Sequence, residues 1–87
     1  MDKAFHADII SPDKALFSGE TVSLTVPSEY GYWGILANHT PVVAHLIKGN
    51  ITVKDAEGKA RVFRCENKGF FEVVRNKAVI ALYSDSY

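Results

Sequence analysis

The chain carries one cysteine, Cys65, and one thiol cannot close an internal disulfide. That excludes a disulfide-stapled scaffold and fits a reducing compartment. An excess of one charge sign is also missing, since ten basic and ten acidic residues cancel. Zero net charge gives no electrostatic footprint for nucleic acid, and no loop carries a basic run. The longest apolar run, Ala78–Tyr83, falls far short of the ~20 residues a membrane-spanning helix needs. Met1 is followed by Asp2 and Lys3, with neither an apolar signal core nor an Arg/Ser-rich transit segment. Any membrane association is therefore expected to run through a partner. Helical periodicity, internal repeats and low-complexity segments are absent too.

What is present is ordinary in amount and specific in pattern. Eighty-seven residues, 47% hydrophobic and 23% charged, suit a single folded domain over residues 1–87, with stability on the order of 5–10 kcal/mol. Charge is uneven along the chain. Residues 1–47 hold two basic residues against five acidic, and residues 48–87 eight against five. Strands of the two halves can interleave, so a mixed solvated surface is the plain reading and a basic edge facing a partner the alternative.

Period two dominates. Phe5, Ala7 and Ile9 alternate with His6 and Asp8, and Val22, Leu24 and Val26 alternate with Thr21, Ser23 and Thr25, the mark of half-buried strands. Ile51–Lys54, Ala60–Cys65, Phe70–Arg75 and Ala78–Tyr83 are rich in Val, Ile, Phe or Tyr. Turn chemistry separates them: Ser11-Pro12-Asp13, Ser18-Gly19, Gly49-Asn50, Asp55–Gly58, Asn67–Gly69 and Arg75–Lys77. The spacing predicts an all-β sandwich or barrel of about eight to ten short strands. Pro41–Lys48 reads as a strand buried on both faces, with His45 the exception.

Few residues suggest bond-making chemistry. His39 and His45 would share a face of an unbroken strand, but Pro41 lies between them and cannot donate to a ladder. No C-x-x-C, H-E-x-x-H or carboxylate cluster stands beside them, so neither a metal nor a cofactor is expected. Cys65 alternates in step with Phe63 and reads as a buried, inert thiol. Glu72 reads as an exposed residue, the alternative being a buried, hydrogen-bonded carboxylate. The loop Ser28-Glu-Tyr-Gly-Tyr-Trp33 crowds three aromatics between glycines. Trp33, next to Gly34-Ile-Leu, is expected to be largely buried and Tyr32 exposed, because neighbours on a strand point to opposite faces. Whether Tyr30 and Tyr32 plug a core or are displayed to a partner stays open on sequence alone. Gly31 and Gly34 are too close to cradle a phosphate, and no helix follows them.

The spacing G-x-x-G-I-L-x-x-H-x-P, from Gly31 to Pro41, resembles the signature of the epsilon subunit of rotary ATP synthases. Phe5–Pro12, Leu16–Glu20, Val22–Pro27, Lys48-Gly49 and Gly69–Val73 are similar to further family segments, in order and without a large gap. The resemblance implies a flattened sandwich of two antiparallel sheets acting as a non-catalytic rotor part of a proton-translocating ATP synthase. It implies a gamma-facing surface around Ser11, His39, Thr40, Pro41 and Val42, and a tip of Glu29, Tyr30, Gly31 and Tyr32 facing the membrane c-ring. No cofactor, nucleotide or nucleic acid is implied. The isolated chain is expected to be monomeric, and in the complex to sit on the cytoplasmic face of a bacterial inner membrane or the equivalent thylakoid face. Many members carry acidic residues in the tip where this chain has Tyr30 and Tyr32, so ring contact here is expected to lean on aromatic packing. Many also continue into a helical hairpin that senses ATP and can brake the rotor. The sequence stops at Ser84-Asp-Ser-Tyr87, so it is expected to support coupled synthesis without helix-dependent braking and without binding ATP. The rival reading is a stand-alone ligand-binding module with Tyr30, Tyr32 and Trp33 as a stacking platform.

Overall fold

The computed structural model describes residues 3–83; Met1, Asp2 and the Ser84-Asp-Ser-Tyr87 end, which carried the expectation about the hairpin, lie outside the described residues. Nine strands follow one another: β1 Phe5–Ile10, β2 Ala15–Thr21, β3 Ser23–Ser28, β4 Gly31–Ile35, β5 Val42–Leu46, β6 Gly49–Lys54, β7 Ala60–Cys65, β8 Gly69–Val74 and β9 Lys77–Leu82. No helix occurs among the described residues.

The strands form two layers, β2-β1-β9-β8-β5 and β7-β6-β3-β4, joined into one curled sheet where Ser28 pairs with Leu46. At that corner the Ile47 N–H donates to the Pro27 carbonyl at 2.9 Å, and the chain crosses from one layer to the other. All pairings are antiparallel but one: β1 and β9 run parallel, with Ala7 beside Ala78 and Ile9 beside Ile80. The expectation of purely antiparallel sheets fails there because β1 and β9 are far apart in sequence, so no hairpin turn dictates their direction.

Alternation sets the core. Ala7, Ile9, Phe71 and Ile80 of the first layer meet Leu24, Val26, Ile51 and Cys65 of the second, all buried, and removing this apolar area from water supplies most of the stabilisation. On one side the layers are closed by β2 and β7. Phe17 and Phe63 lie with ring centroids 5.9 Å apart, and the Arg61 guanidinium sits 5.5 and 5.0 Å from the two rings. The Thr21 hydroxyl donates to the Lys54 carbonyl at 2.6 Å, and the Val22 N–H donates to the same oxygen at 2.8 Å.

Three sequence expectations need correction. Ser18-Gly19 is no turn but the middle of β2, held in the ladder opposite Asp8 and Ala7. Gly49-Asn50 likewise begins β6, opposite Cys65 and Arg64. The segment after Pro41 is not buried on both faces: β5 alternates, with Val43 67% exposed and Leu46 buried. The sandwich has only two layers among the described residues, so the outward face of β5 has nothing above it.

Candidate interaction surfaces

The strand directions put the connecting segments at two ends of the sandwich. One end gathers Ser11–Lys14, the β3–β4 tip, the β5–β6 corner and the β7–β8 turn; the other gathers residues 36–41, the β6–β7 turn and the β8–β9 turn. Ser11 thus shares an end with Glu29–Tyr32, while His39, Thr40 and Pro41 stand at the opposite end. Val42 pairs with Val73, which pairs with Ala78, beside Ala7. Ser11 is therefore four residues further along the strand direction than the Val42 row, a span of about 13 Å. The structure does not bring Ser11 into one cluster with His39–Val42.

The tip is rigidly built. Buried Ser28 accepts the Tyr30 N–H at 3.1 Å and donates to the Gly31 carbonyl at 2.6 Å. Gly31 takes φ 105°, a left-handed value that a side chain would strain. This leaves Glu29 exposed and Tyr30 and Tyr32 82% and 63% exposed. Trp33 is half-buried and packs against the core, in line with the largely buried position its sequence suggested. It reaches Phe71 edge-on at 5.7 Å between centroids and His39 at 6.3 Å, and its strand β4 ends the second layer, so one side of the indole stays open.

The opposite corner is pinned by a contact between residues 38 positions apart. The Asn38 N–H donates to the Asn76 side-chain carbonyl, and the Asn76 amide returns a hydrogen bond to the Asn38 side-chain oxygen at 3.1 Å. Both take left-handed φ, 64° and 60°, which asparagine tolerates better than most residues. His39 Nδ1 donates to the Thr40 carbonyl at 2.7 Å, and Thr40 and Pro41 are exposed. Sequence reading missed Asn76 because an Asn in a turn carries no record of a distant partner.

Between the two ends lies the outer face of the β2-β1-β9-β8-β5 layer. Register places Ile10 beside Ala81, Ala81 beside Phe70, Val79 beside Glu72 and Glu72 beside Val43. Ile10, Val43, Val74 and Tyr83 are exposed there, and Phe70, Val79 and Ala81 half-exposed. Exposed apolar residues gathered on one sheet face make it a candidate interaction surface. It runs from the Ser11 corner to Pro41.

The same layer's β1–β2 edge holds a polar cluster that the sequence reading did not single out. Ser18 Oγ donates to Asp8 Oδ1 at 2.6 Å; His6 Nε2 is 3.0 Å from the same oxygen, and His6 Nδ1 is 3.4 Å from Glu20 Oε2. The serine proton is committed to Asp8, so His6 does not serve as base for a nucleophile in this arrangement. The Ser18 hydrogen bond, with help from His6 and Lys77, outweighs burial and holds the Asp8 carboxyl below its ordinary range. A depressed folded-state value makes this a contribution to stability that is present above the ordinary carboxylate pKa and lost as pH falls through the depressed one. Ser18→Ala should raise the Asp8 pKa toward the ordinary value in a carboxyl NMR titration, and an unchanged titration would contradict this account. Cys65 is buried as expected, and burial pushes its thiol upward, which suits an unreactive role. Glu72 is exposed, also as expected. No group of three or more His, Cys, Asp or Glu side chains is arranged to hold a metal ion among the described residues.

Comparison with known proteins gives these surfaces a context. The family described as "ATP synthase, Delta/Epsilon chain, beta-sandwich domain" matches residues 4–84. The ATP synthase epsilon chain of Dichelobacter nodosus is 41% identical over 80 residues, covering 92% of this chain and 55% of the relative. That of Chlorobium limicola is 39% identical over 79 residues, covering 91% of this chain and 89% of the relative. The chain thus spans little more than half of the first relative and most of the second. Among solved structures, a chain of the Euglena gracilis mitochondrial ATP synthase, OSCP/F1/c-ring in rotational state 1, superposes with TM-score 0.85 at 21% identity, covering 91% of this chain and 50% of that one. A chain of the Tetrahymena thermophila mitochondrial ATP synthase central stalk and c-ring gives 0.75 at 12% identity, covering 95% and 66%. At these identities the likeness is one of fold.

Proposed function

This chain belongs to the family of the ATP synthase delta/epsilon chain β-sandwich domain, and from that membership we propose that it is a part of the rotor's central stalk that binds the gamma subunit and the c-ring and makes no bond itself. Its place would be peripheral, on the cytoplasmic face of a bacterial inner membrane or the equivalent thylakoid face, held there by the complex. The observation that carries the reading is that one sandwich displays exposed apolar residues from Ile10 to Val43 on the outer face of one layer and an aromatic tip on the other layer. Transmitting torque needs two separate interfaces on a body that does not deform, and a doubly layered β core is close-packed and stiff.

The gamma-facing surface is assigned to that face together with the Ser11 and His39–Val42 corners at its two ends. The c-ring contact is assigned to Glu29–Tyr32. The rival reading, an aromatic platform for a ligand such as a carbohydrate, has all three aromatics lining one open groove, but Tyr32 and Trp33 are neighbours on β4 and point to opposite faces, so they do not form one flat platform.

The test is capture of the gamma subunit by the immobilised chain; failure to retain gamma would remove the proposal. His39→Ala provides a finer one. The ring is half-exposed and makes one local hydrogen bond, so its loss should lower the stability by no more than about 1 kcal/mol. Gamma capture should weaken more, and equal proportional losses in melting temperature and affinity would assign His39 to the fold alone.

A further inference from the structure

We propose that within the β3–β4 tip Tyr30 is the contact residue and Tyr32 a positioning residue, a brace whose hydroxyl ties the hairpin to β6. The inference rests on the reading of the tip as a partner-binding element. Tyr32 is adjacent to Tyr30 in exposure and chemistry, yet the two differ in what holds them. The Tyr32 hydroxyl accepts the Asn50 N–H at 3.1 Å, reaching from β4 past β3 to β6. Its path runs over Pro27, the cross-strand partner of Tyr32. Gly49 makes room for it: a Cβ there would lie 2.6 Å from Pro27 Cβ and 2.9 Å from the Tyr32 hydroxyl. Asn50 is secured in turn, its side-chain oxygen accepting from Arg64 at 3.0 Å.

Tyr30 has no such tie among the described residues. Its backbone is fixed by Ser28, while its side chain is 82% exposed at the end of the sandwich. An open groove of about 320 Å³ flanks it, lined by Ser28, Tyr30, Gly31, Tyr32 and Trp33, and of its two tyrosines only Tyr32 has its hydroxyl engaged. A rigid backbone carrying one free aromatic loses little entropy on binding, which is how a preorganised anchor contributes affinity. The chemistry fits an apolar side chain on the partner, with Glu29 the one carboxylate within the Ser28–Trp33 segment.

Two variants of the 87-residue chain separate the roles. Tyr32→Phe keeps the ring and removes only the hydroxyl. Exchange of the Asn50 amide should accelerate about tenfold or more in it, and affinity for detergent-solubilised c-ring should fall by a few fold. Tyr30→Ala should leave Asn50 exchange unchanged and reduce ring affinity about 30-fold or more. Unchanged Asn50 exchange in Tyr32→Phe overturns the brace, and a smaller affinity loss for Tyr30→Ala than for Tyr32→Phe overturns the anchor. If the unaltered chain does not bind the ring, the assignment of the tip to the c-ring falls, the anchor falls with it, and the exchange measurement alone decides the brace.

Discussion

Phe71→Ala is expected to cost about 3–5 kcal/mol, the range for deleting a fully buried phenylalanine with partial collapse of the cavity. Phe71 is 0% exposed at the centre of β8. It lies opposite Ala44 on one side and Ile80 on the other, with the Trp33 ring edge-on above it. For a domain whose whole stability is on the order of 5–10 kcal/mol, this corresponds to a fall of about 15–30 °C in melting temperature. Trp33→Ala should cost less, about 2–3 kcal/mol, because the half-buried indole already has one side in water and leaves a cleft instead of a closed cavity. Thermal or urea denaturation of both variants checks the order. A Trp33 variant less stable than the Phe71 variant would mean that the indole, not the phenyl ring, is the centre of this core.

The second large effect is on assembly. Val43 is 67% exposed on the outward face of β5, directly across from Glu72. Val43→Lys places a cation opposite that carboxylate, a cross-strand pair that is neutral to mildly favourable for the fold. The melting temperature should therefore stay within a few degrees of the unaltered chain. If the gamma subunit covers this face, the buried lysine should weaken capture by a factor of about 30 or more, the scale of losing a central interface contact and stranding a charge. Unaltered capture would move gamma off this face and leave the two corners as its contacts. The glutamate alternative is a poorer probe, since a like charge opposite Glu72 would confound folding with binding.

The sequence by itself determined the class of fold. Period-two alternation is a direct imprint of strands with one wet face, so Phe5–Ile10, Ser23–Ser28 and Lys77–Leu82 could be read within a residue or two. Cys65 was placed correctly for the same reason, and Tyr32 was placed outside by alternation alone. The motif from Gly31 to Pro41 carried the family. Where composition was asked to stand for geometry, it misled: Ser18-Gly19 has turn residues but extended backbone, because pairing with Asp8 and Ala7 of β1 holds it in the ladder.

Only the tertiary structure decided which surfaces exist. Alternation says that half of each strand faces outward, but not that Ile10, Val79, Ala81, Phe70, Val74 and Val43, from β1, β9, β8 and β5, gather on one outer face beside the polar His6–Asp8 cluster. Nor does it say that Ser11 and His39 stand at opposite ends of it, or that Asn76 clamps Asn38 across 38 residues. These facts depend on strand order and direction, including the parallel β1–β9 pair. That order is settled by long-range packing, in which each strand's neighbour is the one whose addition buries the most apolar surface, and this is a property of the whole chain that no local pattern carries.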